Sequence, residues 1–295
     1  MIEICQSRDA FAVTEVLGVD PAYGDQQAAA LRRALAMCGV LCLRMQRPLE
    51  DGELQSVARL FGPIKDPVGR TKDGGTFRYS EPKQTIDSGY VLTDEMREQL
   101  GTISFGGLDD RRPGLFETFH TDDTYTEEPA IATVLHAREL PPSGGGPTCF
   151  LDMRVAYEML DAATRARLDG LRVVYAHNNE DAFPPRRAAR GPADVLVDVT
   201  HPLVRTHPIA GTRALFLDLD RAKHIEGMPV AAGRELLQRL QDHAETRAPG
   251  CQHHWHDHDV LVWDNASVQH KAGGNFKLGE PRRFWRYMIA GARPA

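Results

Sequence analysis

Hydrophobic positions change their period along this chain, and the changes mark out its elements. Over residues 26–37, Leu31, Ala34 and Leu35 recur at the three- and four-residue spacing of one helical face. Gly39 stops that run, and residues 40–45 (VLCLRM) are almost continuously apolar, as a buried strand is. Pro48 leads into a second helical stretch over residues 51–61, closed by Gly62 and Pro63. Residues 65–119 lose long periodicity and are rich in glycine and charge, so they read as extended loops with short elements, the composition of a lid or of a plain surface insertion. From residue 130 strand signals dominate, with candidates at 131–136, 148–151, 171–175, 203–206, 214–219, 252–255, 259–263 and 282–290. Helices interrupt at 153–167 and 230–247.

Short strands separated by turn signals, with a few helices beside them, predict an α+β, mainly β architecture: a double-sheet jelly roll flanked by helices. There is no βαβ alternation and no GxGxxG after a strand, which argues against a dinucleotide-binding fold. The chain, residues 1–295, is read as one domain with 65–119 as the insertion. Charge narrows the function. Lysine and arginine total 35 against 41 acidic residues, a net charge of −6, so no basic stripe is available for nucleic acid. No apolar run is long enough for a transmembrane helix, and MIEICQSRDAF lacks the apolar core of a secretory signal; no membrane partner and a cytoplasmic location are expected. The five cysteines are odd in number and contain no CxxC, which fits reduced, buried thiols.

The chemistry concentrates around residue 120. In Phe119-His120-Thr121-Asp122, positions i and i+2 of an extended segment point to one side, so an imidazole and a carboxylate can aim at one point. His270, after an apolar strand and a turn, is the best third donor. Two histidines and a carboxylate on one face leave coordination positions open, the arrangement of non-haem Fe(II) oxygenases. A buried hydrogen-bonded pair is the plainer reading of His-x-Asp alone. Arg282 and Arg286 share one face of a predicted strand with Phe284 between them, and Arg283, Trp285 and Tyr287 face the other way. A buried arginine grips a carboxylate bidentately, as a 2-oxoacid needs; a solvated edge strand is the alternative.

Four segments in this order resemble the taurine dioxygenase (TauD/TfdA) family. They are GVLCLR through FGP (39–63), FHTDDTY (119–125), GGGPT (144–148), and WDN through His270 to Arg282 and Arg286. The resemblance implies a double-stranded β-helix, the cupin-like form of the jelly roll, and an Fe(II)- and 2-oxoglutarate-dependent dioxygenase. Such an enzyme uses O2, releases succinate and CO2, and hydroxylates or otherwise oxidises a C–H bond of a small organic substrate. It implies His120, Asp122 and His270 as iron ligands, Arg282 and Thr148 on the distal carboxylate of 2-oxoglutarate, and Arg286 on an acidic group of the substrate. Arg283 is the competitor for the Arg282 role if the register slips by one. The family's taurine-binding His and Tyr are replaced here by Asp66 and Gly69, which argues against taurine and makes Asp66 a substrate-side candidate. A carboxylate at Asp122 favours hydroxylation or desaturation over halogenation. The expected partners are the small-molecule substrate and further copies of the chain, as a dimer or tetramer.

Alternation in HHWHDHD would put His254, His256 and His258 on one side as a second metal site, but a strand–turn–strand connection is usually exposed. Asp264 and Asn265 suit a turn held by side-chain to backbone bonds, with Asn265 a partner for a metal ligand. Arg186, Arg187 and Arg190 read as a charged loop, and Cys149 as a buried structural thiol.

Overall fold

The computed structural model describes residues 2–5, 11–21, 25–87, 118–177, 196–274, 276 and 280–295. The large sheet has seven strands. In spatial order they are β1 (Glu3–Cys5), β2 (Thr14–Leu17), β3 (Val40–Leu43), β15 (Val260–Asp264), β7 (Ala132–Glu139), β17 (Arg283–Ile289) and β6 (Lys83–Asp87). All pairings are antiparallel except β2 with β3. A second layer contains β14 (Gly250–His253), β8 (Thr148–Asp152) and β16 (Val268–Ala272), and a third group joins β10 (Val199–Pro202), β9 (Arg172–Tyr175) and β13 (Ala222–Ile225). Two short pairs complete the strands: β11 (Val204–Thr206) with β12 (Arg213–Leu215), and β4 (Val68–Arg70) with β5 (Thr76–Arg78). This is the expected jelly roll.

β3 is apolar throughout, and β15 is apolar up to Asp264, because both of their faces are covered. Leu41 and Leu43 of β3, with Val260 and Val262 of β15, pack towards α1 (Asp25–Cys38) and α2 (Asp51–Phe61). Val40 and Cys42, with Leu261 and Trp263, turn the other way and meet Phe150, Val268 and Phe284 between the sheets. A third cluster lies under α3 (Met153–Glu158), α4 (Ala162–Leu168) and α5 (Val230–Arg247). Full burial of a leucine or valine stabilises by roughly 1.5–3 kcal/mol, so these layers set the frame on which the polar site is mounted.

Three expectations change. The helix expected over 153–167 is two helices, because the Asp161 carboxylate accepts from the Thr164 backbone N–H at 2.8 Å and its hydroxyl at 2.7 Å, starting a new helix. The 65–119 insertion is more regular than expected over 65–87, where β4 and β5 form a hairpin and β6 extends the large sheet. Residues 88–117 of that insertion, and the Arg186, Arg187 and Arg190 loop, lie outside the described residues. Third, residues 268–272 carry no strand signal yet form β16, so His270 follows β15 and a turn as expected but lies within a further strand. No helix among the described residues is long and apolar enough to cross a membrane.

Candidate metal centre

His120 and His270 face each other across an isolated antiparallel bridge. The His120 N–H donates to the His270 carbonyl at 3.0 Å, and the His270 N–H returns the bond at 2.9 Å. β16 pairs with β8 so that His270 lies opposite Phe150, and Trp263 stacks near the His270 ring at 4.5 Å between centroids. Two residues after His120 the chain presents Asp122, and then turns at Asp123 with φ +65, a conformation few non-glycine residues adopt. The buried Asp123 carboxylate holds that turn. It pairs with Lys65 Nζ at 3.0 Å and accepts from the Tyr79 hydroxyl at 2.9 Å, the Thr126 hydroxyl at 3.1 Å and the Ala130 N–H at 3.3 Å.

The donor atoms of His120, Asp122 and His270 lie within 4.8 Å of one another. His120 Nδ1 donates to the Thr118 carbonyl at 3.0 Å, which leaves Nε2 with its lone pair for a metal. Asp122 Oδ2 accepts from the Thr133 hydroxyl at 2.6 Å, and the Thr133 oxygen accepts from Asn265 Nδ2 at 3.0 Å. Asn265 therefore supports the ligand carboxylate through Thr133. Asp122 Oδ1 faces Arg286 Nη1 at 3.5 Å, and Oδ2 is 3.7 Å from His270 Nε2. The His270 Nδ1 is buried and has no hydrogen-bond partner. Burial pushes the His270 imidazole down to about 3 against the pull of Asp122, so the ring is neutral. Burial alone would raise the Asp122 carboxyl, but His270, Arg286 and His120 beside it bring it down to about 2. Two imidazoles and one carboxylate converging inside the protein fit a divalent cation of the Fe(II) type.

The co-substrate side is built around Arg282. Its side chain is 3% exposed and donates from Nη2 to the Gly146 carbonyl at 2.9 Å. Gly146 has φ +61, and a Cβ there would stand 2.7 Å from Arg282 Nε, so only glycine lets the turn approach this arginine. Phe284 lies 4.6 Å from the Arg282 guanidinium and 4.6 Å from Trp255, whose indole N–H donates to the buried Thr148 hydroxyl at 3.1 Å. Arg283 points the other way and pairs at the surface with Glu139 at 3.0 Å. The alternation expected of this strand therefore holds. Asp66 is not brought to the cluster: it is exposed and paired with Arg78. Sequence reasoning missed Gln84, whose Oε1 accepts from Arg286 Nε at 3.0 Å, and the Lys65–Asp123–Tyr79 network. No local signal marks them, since each works through a partner distant in sequence.

Among the described residues a second donor group, Cys42, His253 and Asp259, also lies within 4.8 Å. Here the hydrogen bonds are complete. Asp259 accepts from Arg44 Nη1 at 2.7 Å and from the His256 N–H at 2.9 Å, and stands 3.0 Å from His253 Nε2. The alternative alignment of His254, His256 and His258 does not form: β14 ends at His253, the chain turns at His258, φ +71, and His254 and His256 are exposed, as expected of a connection between strands.

Comparison with known proteins matches this geometry to a family. The family described as "Taurine catabolism dioxygenase TauD, TfdA family" matches residues 7–288. An alpha-ketoglutarate-dependent 2,4-dichlorophenoxyacetate dioxygenase of Cupriavidus pinatubonensis is 31% identical over 280 residues, 93% of this chain and 92% of that protein. An (S)-phenoxypropionate/alpha-ketoglutarate-dioxygenase of Delftia acidovorans is 30% identical over 291 residues, 94% of this chain and 91% of that protein. Among solved structures, AAD-2 in complex with Mn(II) and N-oxalylglycine superposes with a TM-score of 0.76 at 24% identity, covering 100% of this chain and 99% of that one.

Proposed function

The chain belongs to the TauD, TfdA family of 2-oxoglutarate-dependent non-haem iron dioxygenases, and on that premise we propose that it oxidises a C–H bond of a small organic acid at a centre held by His120, Asp122 and His270. The observation that carries this reading is the convergence of the buried His120, Asp122 and His270 donors within 4.8 Å, with a buried arginine on the same side of the fold. When bound, Fe(II) supplies the site at which O2 reduction couples decarboxylation of 2-oxoglutarate, to succinate and CO2, with oxidation of the substrate.

The chain's own groups position and exclude water. The Arg282 guanidinium pairs with the distal carboxylate of 2-oxoglutarate, and the Thr148 hydroxyl donates to it. Phe284 and Trp255 wall the arginine off from water, which strengthens that pair. Arg286, 24% exposed beside Asp122, meets the acidic group of the substrate and orients its C–H bond. The aryloxy acids in the names of the two relatives fit the same requirement and are the first candidates. We also propose a homo-oligomer, a dimer or tetramer, in the cytoplasm, which sedimentation and fractionation test. The deciding experiment is a screen of organic acids, 2,4-dichlorophenoxyacetate included, scored by succinate formed with Fe(II), O2 and 2-oxoglutarate. Substrate-stimulated succinate that disappears in His270→Ala supports the reading; O2 uptake that persists without 2-oxoglutarate overturns it.

A further inference from the structure

We propose that Gln84 is a positioning residue that keeps the Arg286 guanidinium from closing onto Asp122. The inference rests on reading His120, Asp122 and His270 as metal ligands. It begins in the sheet register: β6 runs antiparallel to β17 with Gln84 directly opposite Arg286. The Gln84 Oε1 accepts from both Nε and Nη2 of Arg286. Those two nitrogens form one gripping edge of a guanidinium, the edge that binds a carboxylate through two parallel bonds. With that edge taken, only Nη1 faces Asp122, and it stands off at 3.5 Å. A charge-assisted N–H···O bond closes to about 2.7–2.9 Å when nothing restrains it.

The restraint matters because both charges are sheltered. Asp122 is 9% exposed and Arg286 24% exposed. Opposite charges this close in a low-dielectric setting attract strongly, so an untethered arginine would swing into a fork on Asp122. Such a fork would occupy the carboxylate lone pairs that a cation needs. Oδ2 already accepts from Thr133, which leaves little donor capacity to spare. Gln84 offers a neutral oxygen instead and divides the guanidinium between the edge strand and the metal side.

The test uses the full-length protein, free of 2-oxoglutarate, titrated with Mn(II) and followed by the loss of the free aqueous Mn(II) electron paramagnetic resonance signal. His270→Ala should abolish tight binding, which locates the probe. Gln84→Ala should weaken binding by roughly 10- to 100-fold, the range for partners that orient metal ligands. Adding Arg286→Gln to that variant should restore binding, because no guanidinium is left to close on Asp122. Gln84→Glu, which keeps the acceptor, should bind at least as tightly as wild type. Rescue by the second substitution is something a merely structural role for Gln84 would not produce. Wild-type affinity in Gln84→Ala, or a double variant no better than the single one, overturns the proposal while leaving the ligand assignment standing. Unchanged Mn(II) binding in His270→Ala instead removes the ligand assignment itself.

Discussion

Among the described residues two clusters of nearly the same composition sit on this fold, and their surroundings differ. His120, Asp122 and His270 bring two imidazoles and a carboxylate together; Cys42, His253 and Asp259 bring a thiol, an imidazole and a carboxylate equally close. The difference lies in what surrounds them. Asp259 is satisfied by Arg44, His253 and a backbone N–H, and burial pushes the Cys42 thiol far above its usual range, so the thiolate a metal would want is suppressed. In the other cluster His270 Nε2 stands 3.7 Å from Asp122 Oδ2, and Arg286 Nη1 stays at 3.5 Å from Oδ1. Proximity of donors is therefore a poor criterion for a metal site. Charge pairing separates the two, because a guanidinium closes on Asp259 at 2.7 Å whereas the one beside Asp122 stands at 3.5 Å.

The comparison can be broken most sharply by removing one histidine from each cluster. His270→Ala should lose Fe(II) binding and all succinate formation. His253→Ala should keep one tightly bound metal per chain and lose only stability, by about 1–3 kcal/mol for the one hydrogen bond to the Asp259 carboxylate that it removes. Metal analysis beside a urea melt reads both, and metal lost from the His253 variant alone would invert the assignment. Next in size, Arg282→Ala should weaken 2-oxoglutarate binding by about 2–5 kcal/mol, as expected when a buried charge partner is removed. Arg283→Ala should change it little, since that side chain pairs with Glu139 at the surface. Anaerobic titration of the Fe(II) complex with 2-oxoglutarate ranks the two, and the reverse order would place the clamp on the wrong residue.

The closed region also predicts a pH dependence. Burial pushes His136 and His201 down to about 4 from 6.5. His136 Nε2 accepts from the Leu49 N–H at 3.1 Å, which needs the neutral ring. The unfolded chain takes up protons that these folded rings refuse. Stability is thus fully present above about 6.5 and declines as the pH falls towards about 4, by on the order of 3 kcal/mol for each histidine. Urea midpoints between neutral and acidic pH check the slope, and His136→Gln should flatten it. The smallest effect is expected at the surface. Asp66→Ala, which breaks only the exposed pair with Arg78, should shift stability by less than about 1 kcal/mol.

Those same contrasts explain what the sequence shows and hides. The strands β3 and β15 are legible because two-sided burial makes them continuously apolar. β16 reads poorly as a strand because its polar residues are buried for other reasons: Gln269 donates to the Leu217 carbonyl at 2.7 Å, and His270 faces the donor cluster. β6, KQTID, is polar because it lies at a sheet edge. His120 and Asp122 follow from the two-residue period of an extended chain, and Arg282 from the parity of its strand. Gln84, Lys65 and Asp123 carry no such period, and their roles exist only once β17 and the turn after Asp122 are in place.

The bridge between His120 and His270 links stretches 150 residues apart in the chain with only two backbone hydrogen bonds. Bringing such distant segments together is entropically expensive and grows slowly with the length enclosed. On the proposed reading, a cation shared by their side chains would act as a clasp on that closure, in the way any ligand specific to the native state does. Deuterium uptake at the His120 and His270 amides should therefore slow on metal loading, while amides of β3, already held inside two cores, exchange at an unchanged rate. Metal loading would then tighten the pocket against a frame that the apolar layers already hold.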